Sequence, residues 1–260
     1  MNDDRKGIGF SDLFGVFQRA LLIQASWSYE RMQSLGFAFA IEPVLKKLYP
    51  DRDEYEARLR IHLEYFNTQP YLASFILGAV VRMEEDRAIG LKVGDEVSSL
   101  KATLVAPLGA LGDTFFWGAL KPFAAVLAVA LLMTGNWWAP LLFLVFYNAW
   151  HIGHRAGMLF WGYRSSGDAM SLLARYSLMN MAKRLKRITL AVLGGMVGMI
   201  PVWRTEFQPA ISMPAFPMTL VWLVVTLVLV VILRQGGSPI KLMLGLAALC
   251  LALAYAGVLG

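Results

Sequence analysis

The chain has 260 residues, of which 57% are hydrophobic and 16% charged, with a formal net charge of +6 and one cysteine. Soluble domains carry about 25% charged residues, so this composition excludes an ordinary soluble protein and predicts an integral membrane protein. One cysteine excludes an intrachain disulfide. The acidic N-terminus leads into no short apolar core, so we expect no cleavable signal peptide.

The charges are unevenly distributed along the chain. Residues 1–120 contain sixteen acidic and thirteen basic residues, whereas residues 121–260 contain two and eleven. The basic excess of the second part lies in short segments between apolar runs, where the headgroups of cytoplasmic lipids attract it. The charge therefore indicates a membrane orientation and excludes nucleic acid as the partner.

The first 100 residues are predicted to form an amphipathic, membrane-associated helical region. This region begins with a helix whose apolar face consists of Leu13, Phe17, Ala20, Leu21 and Gln24 at helical spacing. Phe14 widens this face. Such a face suits the membrane surface. Packing of the same face on a partner domain explains the pattern equally well.

Two further helices are predicted on either side of Pro70. Asp51 follows Pro50 and precedes a polar turn with Glu54, which is the pattern of a capped helix start. We expect this helix to end at Pro70, because the residue before a proline avoids helical angles. The next helix is expected to continue to Gly90.

Polar side chains cluster at the break between these two helices. Asn67, Thr68 and Gln69 precede Pro70, and Glu64 lies one turn earlier. Carboxamides donate and accept hydrogen bonds, which suits sugar hydroxyls, and interrupted helices form binding sites in many transporters. Simple helix capping, with Pro70 in the first turn, explains the same residues.

The segment 101–122 is apolar but contains Pro107, several glycines and one acid, Asp113. Irregular backbone at membrane depth persists only where it is buried in protein or faces water, so we predict a re-entrant hairpin. An ionisable residue in such a segment is a functional candidate. A structural bond from Asp113 to a neighbouring backbone amide is the alternative.

The region 101–260 is predicted to contain four to five transmembrane helices, which makes the fold class an all-α polytopic membrane protein. The clearest apolar runs are 188–203, 218–233 and 240–259, and the runs 122–134 and 137–150 form one kinked span or two partial spans. Basic residues are frequent in cytoplasmic loops. The segments 175–187 and 234–241 are therefore expected inside, and the segment 204–217 and the C-terminus outside.

Three other residues suggest a different class of protein. His151 and His154 lie three apart, and with Asp168 they could belong to a membrane-embedded enzyme. Two histidines without a nearby carboxylate are a weak metal signal. We therefore predict no metal, no cofactor and no catalytic residue in this chain.

Three stretches carry a family resemblance. They are FQRALLIQASWSYERMQSLGFAFAIEPVLKKLYP (17–50), HLEYFNTQPYLASFILGAVVRMEEDRAIG (62–90) and LVAPLGALGDTFFWGALKP (104–122). Through them the chain resembles the IID membrane component of the mannose/fructose/sorbose family of the bacterial phosphoenolpyruvate-dependent sugar phosphotransferase system. Thr114 stands where that family has a proline after the aspartate.

The resemblance implies a function, partners and a location. A IID protein pairs with a IIC subunit in the cytoplasmic (inner) membrane, and the pairs form a higher oligomer. A hexose moves inward through the pair and is phosphorylated by a IIB partner, which works together with IIA. IID itself is not phosphorylated. We expect Asn67, Gln69 and Asp113, assisted by Thr68 and Glu64, to border the sugar path. A subunit that only stabilises its partner, without sugar contacts, is the alternative.

Overall fold

The computed structural model describes residues 7–91, 96–165, 178–207 and 215–255. The chain divides into two compact units, Met1–Leu190 and Ala191–Gly260. The described residues are helical without a strand, and their only β-type pairings are isolated bridges of Met32 to Ser28 and to Phe66. This confirms the predicted all-α fold.

The first unit begins with three helices: α1 (Phe10–Ala20), α2 (Ser34–Leu48) and α3 (Arg52–His62). The helix α1 packs on α2 through Leu13, Val16 and Ala20, which recur at helical spacing and are buried. Phe10 and Phe14 lie on its other side and are exposed. The apolar face of α1 therefore has two parts, one packed inside this chain and one exposed.

The helix α3 begins where the sequence predicts and ends earlier than expected. The Asp51 carboxylate accepts a hydrogen bond from the Glu54 N–H at 2.9 Å, which caps its start. It ends at His62 rather than at Pro70. The cause is a long-range contact, because the backbone carbonyl of Phe66 accepts the Gln33 N–H at 2.8 Å and so turns this part of the chain toward the loop before α2.

The helix α4 (Ala73–Ala88) is the centre of the first unit, and nearly all of its apolar side chains are buried. It crosses α7 (Ala139–Arg164) at two glycines. A Cβ atom on Gly78 would lie 2.0 Å from the Leu159 carbonyl oxygen, and one on Gly162 would lie 2.1 Å from that of Phe75. The two backbones are therefore in direct contact, as small residues permit in helix packing.

The segment predicted as a re-entrant hairpin is helical throughout, so the structure corrects that expectation. The helix α5 (Glu96–Gly112), a π-helical stretch (Asp113–Leu120) and α6 (Lys121–Met133) follow one another without a turn. The glycines were interpreted as breaks, but Gly109 and Gly112 instead lie close to Thr68 and Gln69 of the same chain. The wider π-helical turns immediately precede Pro122, which lacks the N–H needed to continue the helical ladder.

Within the described residues, three further helices follow α7: α8 (Leu178–Phe207), α9 (Ala215–Arg234) and α10 (Pro239–Tyr255). They contain the predicted apolar runs 188–203 and 218–233 and most of 240–259. Large side chains on α9 and α10 such as Leu223, Leu227 and Leu244 are more than half exposed. Of the residues described, one continuous helix, 96–133, is by itself long and apolar enough to cross a bilayer.

Candidate functional site

The residues between α3 and α4, 63–72, are here called the break segment. The end of α3 and this segment lie along α5. The Lys101 ammonium group donates to the Ile61 carbonyl at 3.1 Å, and the Ser98 hydroxyl donates to the Glu64 carboxylate at 3.0 Å. The interrupted chain is thus held against α5, which includes residues 101–112 of the segment predicted as a hairpin.

Thr68 is fixed from two sides. The side-chain amide of Gln33 accepts the Thr68 N–H at 3.2 Å and donates to the Thr68 carbonyl at 2.8 Å. The Thr68 hydroxyl donates to the Val105 carbonyl of α5 at 2.8 Å. Thr68 is buried, and these bonds use its polar atoms, so its role in this conformation is to shape the break segment.

Gln69 differs from Thr68 because one of its polar atoms has no partner. Its side-chain oxygen accepts the N–H groups of Tyr71 at 2.8 Å and Leu72 at 3.1 Å, which caps the start of α4. Its Nε2 is buried without a hydrogen-bond partner, and the residue is 2% exposed. This Nε2 is one of seven such side-chain atoms among the described residues. Because buried polar groups without partners are rare in folded proteins, this amide is a candidate ligand contact.

The glycine at the end of α5 positions this amide. A Cβ atom on Gly112 would lie 2.6 Å from the Gln69 Cβ, so only glycine lets the two segments approach. Asp113 is the next residue and is exposed, as are Asn67 and Glu64. The structure thus brings Thr68 and Gln69 against α5, with Gly112 at the contact and Asp113 beside it in the chain. Asn67 and Glu64 project from the same break segment or the end of α3.

The histidines offered as an enzyme site have structural partners. The His151 Nε2 lies 2.8 Å from the Asn148 side-chain oxygen, and the His154 Nδ1 lies 3.1 Å from the Trp150 carbonyl. Asp168, the third residue of that hypothesis, lies outside the described residues. The two histidines therefore form these hydrogen bonds within α7, each with a different partner.

A cluster on α7 was not identified as functional from the sequence. Arg155 is buried, its guanidinium group lies 5.0 Å from the centre of the Tyr71 ring, and the Tyr71 hydroxyl is 3.1 Å from that of Tyr147. The His151 ring stacks on Tyr71 at 4.5 Å. One sequence signal was available, since Arg155 is a single cation within a long, largely apolar stretch.

A second buried polar cluster lies at the opposite end of α4. The Glu84 carboxylate, fully buried, accepts the Tyr49 hydroxyl at 2.7 Å, the Arg58 Nε at 3.0 Å and the His62 Nε2 at 3.0 Å. Burial by itself raises the pKa of Glu84, but the hydrogen bonds from His62 and Arg58 outweigh it and lower that pKa to about 2.

The other members of this cluster respond to the same burial. Burial lowers the pKa of His62, so the ring is neutral and donates from Nε2 to Glu84. Burial and the adjacent carboxylate raise the pKa of Tyr49. The next acid, Glu85, accepts the Ile8 N–H at 2.8 Å and the Tyr163 hydroxyl at 2.6 Å. This end of α4 therefore ties the N-terminal helices and α7 together.

Comparisons with known proteins agree with this architecture. Two solved structures cover nearly the whole chain. One, described as the cryoEM structure of mannose transporter ManYZ with microcin E492, is 29% identical, covers 96% of this chain and 98% of that chain, and has a TM-score of 0.59. Another, described as a membrane protein, is 31% identical with a TM-score of 0.73, covering 97% and 98%.

Curated relatives point in the same direction. The mannose-specific EIID component of Escherichia coli K12 is 37% identical over 72% of this chain and 67% of its own length. The sorbose-specific EIID component of Klebsiella pneumoniae is 33% identical over 75% and 71%, and the fructose permease IID component of Bacillus subtilis is 31% identical over the same shares. The profile of the "PTS system mannose/fructose/sorbose family IID component" matches residues 8–259. The chain therefore belongs to the IID component family and is a membrane subunit of a mannose-family sugar phosphotransferase transporter.

Proposed function

We propose that this subunit pairs with a IIC subunit to move a hexose inward, and that the break segment and the junction of α5 with the π-helical stretch border the sugar path. The observation that carries the proposal is the buried Gln69 Nε2 without a hydrogen-bond partner. Asn67, Asp113 and Glu64 add exposed polar side chains on the same parts of the chain.

The physical argument concerns the hydroxyl groups of the sugar. Each hydroxyl loses water on entering the protein, and a polar group left without a partner costs roughly 1–3 kcal/mol. A sugar path must therefore present donors and acceptors that the protein itself does not use. An amide with two free N–H hydrogens at a helix interruption meets this requirement, whereas Thr68 serves the path by holding the break segment in place.

The test is uptake of labelled hexose by cells that express each variant together with IIC, IIB and IIA. Asn67→Ala removes a hydrogen-bond partner, and Asp113→Asn replaces one acceptor oxygen with a donor. Each should cost about 1–3 kcal/mol and lower uptake at limiting sugar by roughly 5- to 100-fold. Membrane insertion and co-purification of IIC should be unchanged.

Matched controls exist in the same chain. Asn180→Ala on α8 and Asp53→Asn on α3 make the same chemical changes at exposed positions outside the break segment, and uptake should stay within about twofold of wild type. Normal uptake in both Asn67→Ala and Asp113→Asn would show that these two residues are structural. It would favour the alternative of a subunit that only stabilises its partner.

The orientation follows from charge. We propose that the chain crosses the cytoplasmic membrane several times, with the basic start of α8 facing IIB in the cytoplasm and Gly260 outside. Lys183, Arg184, Lys186 and Arg187 are exposed or partly exposed there. A cysteine placed at position 186 should resist a membrane-impermeant reagent added to intact cells and react after permeabilisation. Labelling in intact cells would reverse the assignment.

A further inference from the structure

Arg155 is a buried cation without a counter-ion among the described residues. It is 5% exposed, and its Nε is buried with no hydrogen-bond acceptor. Within the described parts of the chain it forms no ion pair, and its recorded contact is the face of the Tyr71 ring. A buried guanidinium group without an anion is strongly unfavourable, so an anionic ligand would be stabilised there.

The acids on the neighbouring helix do not supply that anion. Glu84 is occupied by Arg58, and Glu85 and Asp86 are paired with Arg82. The helix α4 thus uses its carboxylates in other ion pairs, although it packs on α7 along much of its length.

The groups around Arg155 are hydrogen-bond donors. The hydroxyls of Tyr71 and Tyr147 are 3.1 Å apart, and because one of them donates to the other, one hydroxyl proton remains for a ligand. The stacked His151 ring, itself 2.8 Å from Asn148 through Nε2, supports the Tyr71 ring. A guanidinium group beside a free hydroxyl proton matches the oxygens of a phosphate, which arginine binds in a bidentate manner.

We propose that Arg155, with Tyr71 and Tyr147, forms a site for a phosphate group. Tyr71 belongs to the break segment, and its N–H donates to Gln69, so the site adjoins the candidate sugar contact. Two sources share this chemistry: the phosphate of a phosphorylated hexose, which rests on the proposed function, and the phosphate of a lipid headgroup.

The experiment compares ligands on the purified IIC–IID complex in a maltoside detergent, which carries no phosphate. Wild type should bind mannose 6-phosphate and inorganic phosphate, and Arg155→Gln should weaken both at least tenfold while mannose binding changes less than twofold. Tyr147→Phe should weaken phosphate binding about threefold, and Arg155→Lys should retain part of it. Arg164→Gln, an exposed arginine on the same helix, is the control and should have no effect.

A parallel series in phosphatidylglycerol nanodiscs separates the two sources. If the headgroup is the ligand, this lipid should raise the Tm of wild type but not that of Arg155→Gln, and soluble phosphates should not bind. Equal behaviour of wild type and Arg155→Gln in every arm would overturn the site. If Arg155→Gln does not assemble, the other variants decide. The site would be overturned if wild type does not bind phosphate, or if Tyr147→Phe and Arg155→Lys bind it as wild type does. Normal hexose uptake in Asn67→Ala and Asp113→Asn would contradict the sugar path alone.

Discussion

The two ends of α4 differ in how most of their buried polar side chains are paired, although His62 Nδ1 and Asp86 Oδ1 at the C-terminal end are also without a hydrogen-bond partner among the described residues. At the C-terminal end, Glu84 accepts hydrogen bonds from three side chains and Glu85 from two helices and the N-terminal segment. At the N-terminal end, the Gln69 amide and, across the contact with α7, the Arg155 Nε have no partner. Polar groups that satisfy one another stabilise a fold, whereas unsatisfied ones cost stability. A functional site is one reason to retain that cost.

The largest expected effect is at the satisfied end. Glu84→Gln removes the charge that compensates buried Arg58, and breaking a buried ion pair from one side costs about 3–5 kcal/mol. For a chain of this size we expect the Tm of the purified complex to fall by roughly 10 °C. Glu56→Gln is the control, because its ion pair with Arg52 is exposed and should contribute less than about 1 kcal/mol.

The pH dependence of stability checks the same cluster. The pKa of Glu84 is lowered from 4.5 to about 2, so its contribution, of order 3 kcal/mol, is present above pH 4.5 and lost as the pH falls toward 2. The lowered pKa of His62 has the same sign and begins to act below pH 6.5, since the unfolded chain then takes up the proton first. Tm should therefore fall on acidification, and Glu84→Gln should flatten the fall below pH 4.5. A parallel fall in both proteins would contradict the assignment.

The middle of α4 is expected to be nearly as sensitive. Gly162→Ala places a methyl group 2.1 Å from the Phe75 carbonyl oxygen, which is backbone and cannot rotate away. Overpacking of this kind costs about 3 kcal/mol, measurable as a lower Tm or a lower yield of assembled complex. Gly157→Ala on the same helix meets nothing within 4 Å and should be neutral or stabilise by up to about 1 kcal/mol. Equal Tm values for the two variants would show that the crossing is looser than this contact requires.

Local features of the fold were predictable from the sequence. The residues of a single turn predict the Asp51 cap. The spacing of apolar residues predicts the buried face of α4 and the apolar C-terminal helices. The end of α3 and the Glu84–Arg58 pair were not, because both depend on contacts between residues far apart in the chain. The glycines of α5 were misread since a glycine suits a turn and a close helix contact alike, and only the position of Gln69 distinguishes the two.

The site was predictable to a similar extent. Carboxamides at a helix break identified Gln69 as a candidate, but the sequence does not show that Gln33 satisfies Thr68 while the Gln69 Nε2 stays unpaired. Arg155 was visible only as a cation in an apolar run. Its lack of a counter-ion within the described part of the chain depends on where the acids of α4 point, and periodicity does not contain that information.

The smallest expected effect on stability is at the unsatisfied end, where Gln69→Glu is the test. The substitution keeps the oxygen that accepts the Tyr71 and Leu72 N–H groups, and a carboxylate at the start of α4 is favoured by the helix dipole. It replaces the Nε2 donor with an oxygen, and the two backbone N–H bonds and the helix dipole offset part of the cost of burying the charge, so the free energy of unfolding should fall by less than it does for the same change at Gln33. Hexose uptake should fall roughly 5- to 100-fold, because the sugar loses a donor worth about 1–3 kcal/mol.

The same change in a satisfied amide supplies the control for this last prediction. Gln33→Glu replaces the N–H that donates to the Thr68 carbonyl with an oxygen, which repels that carbonyl in a buried site. Its main effect should be a loss of roughly 1–3 kcal/mol of stability. The comparison between a satisfied and an unsatisfied amide at the N-terminal end of α4 therefore requires opposite outcomes from one substitution: lost transport at position 69 and lost stability at position 33. If Gln69→Glu lowers the Tm as much as Gln33→Glu does, or leaves uptake normal, the unpaired amide is not a sugar contact.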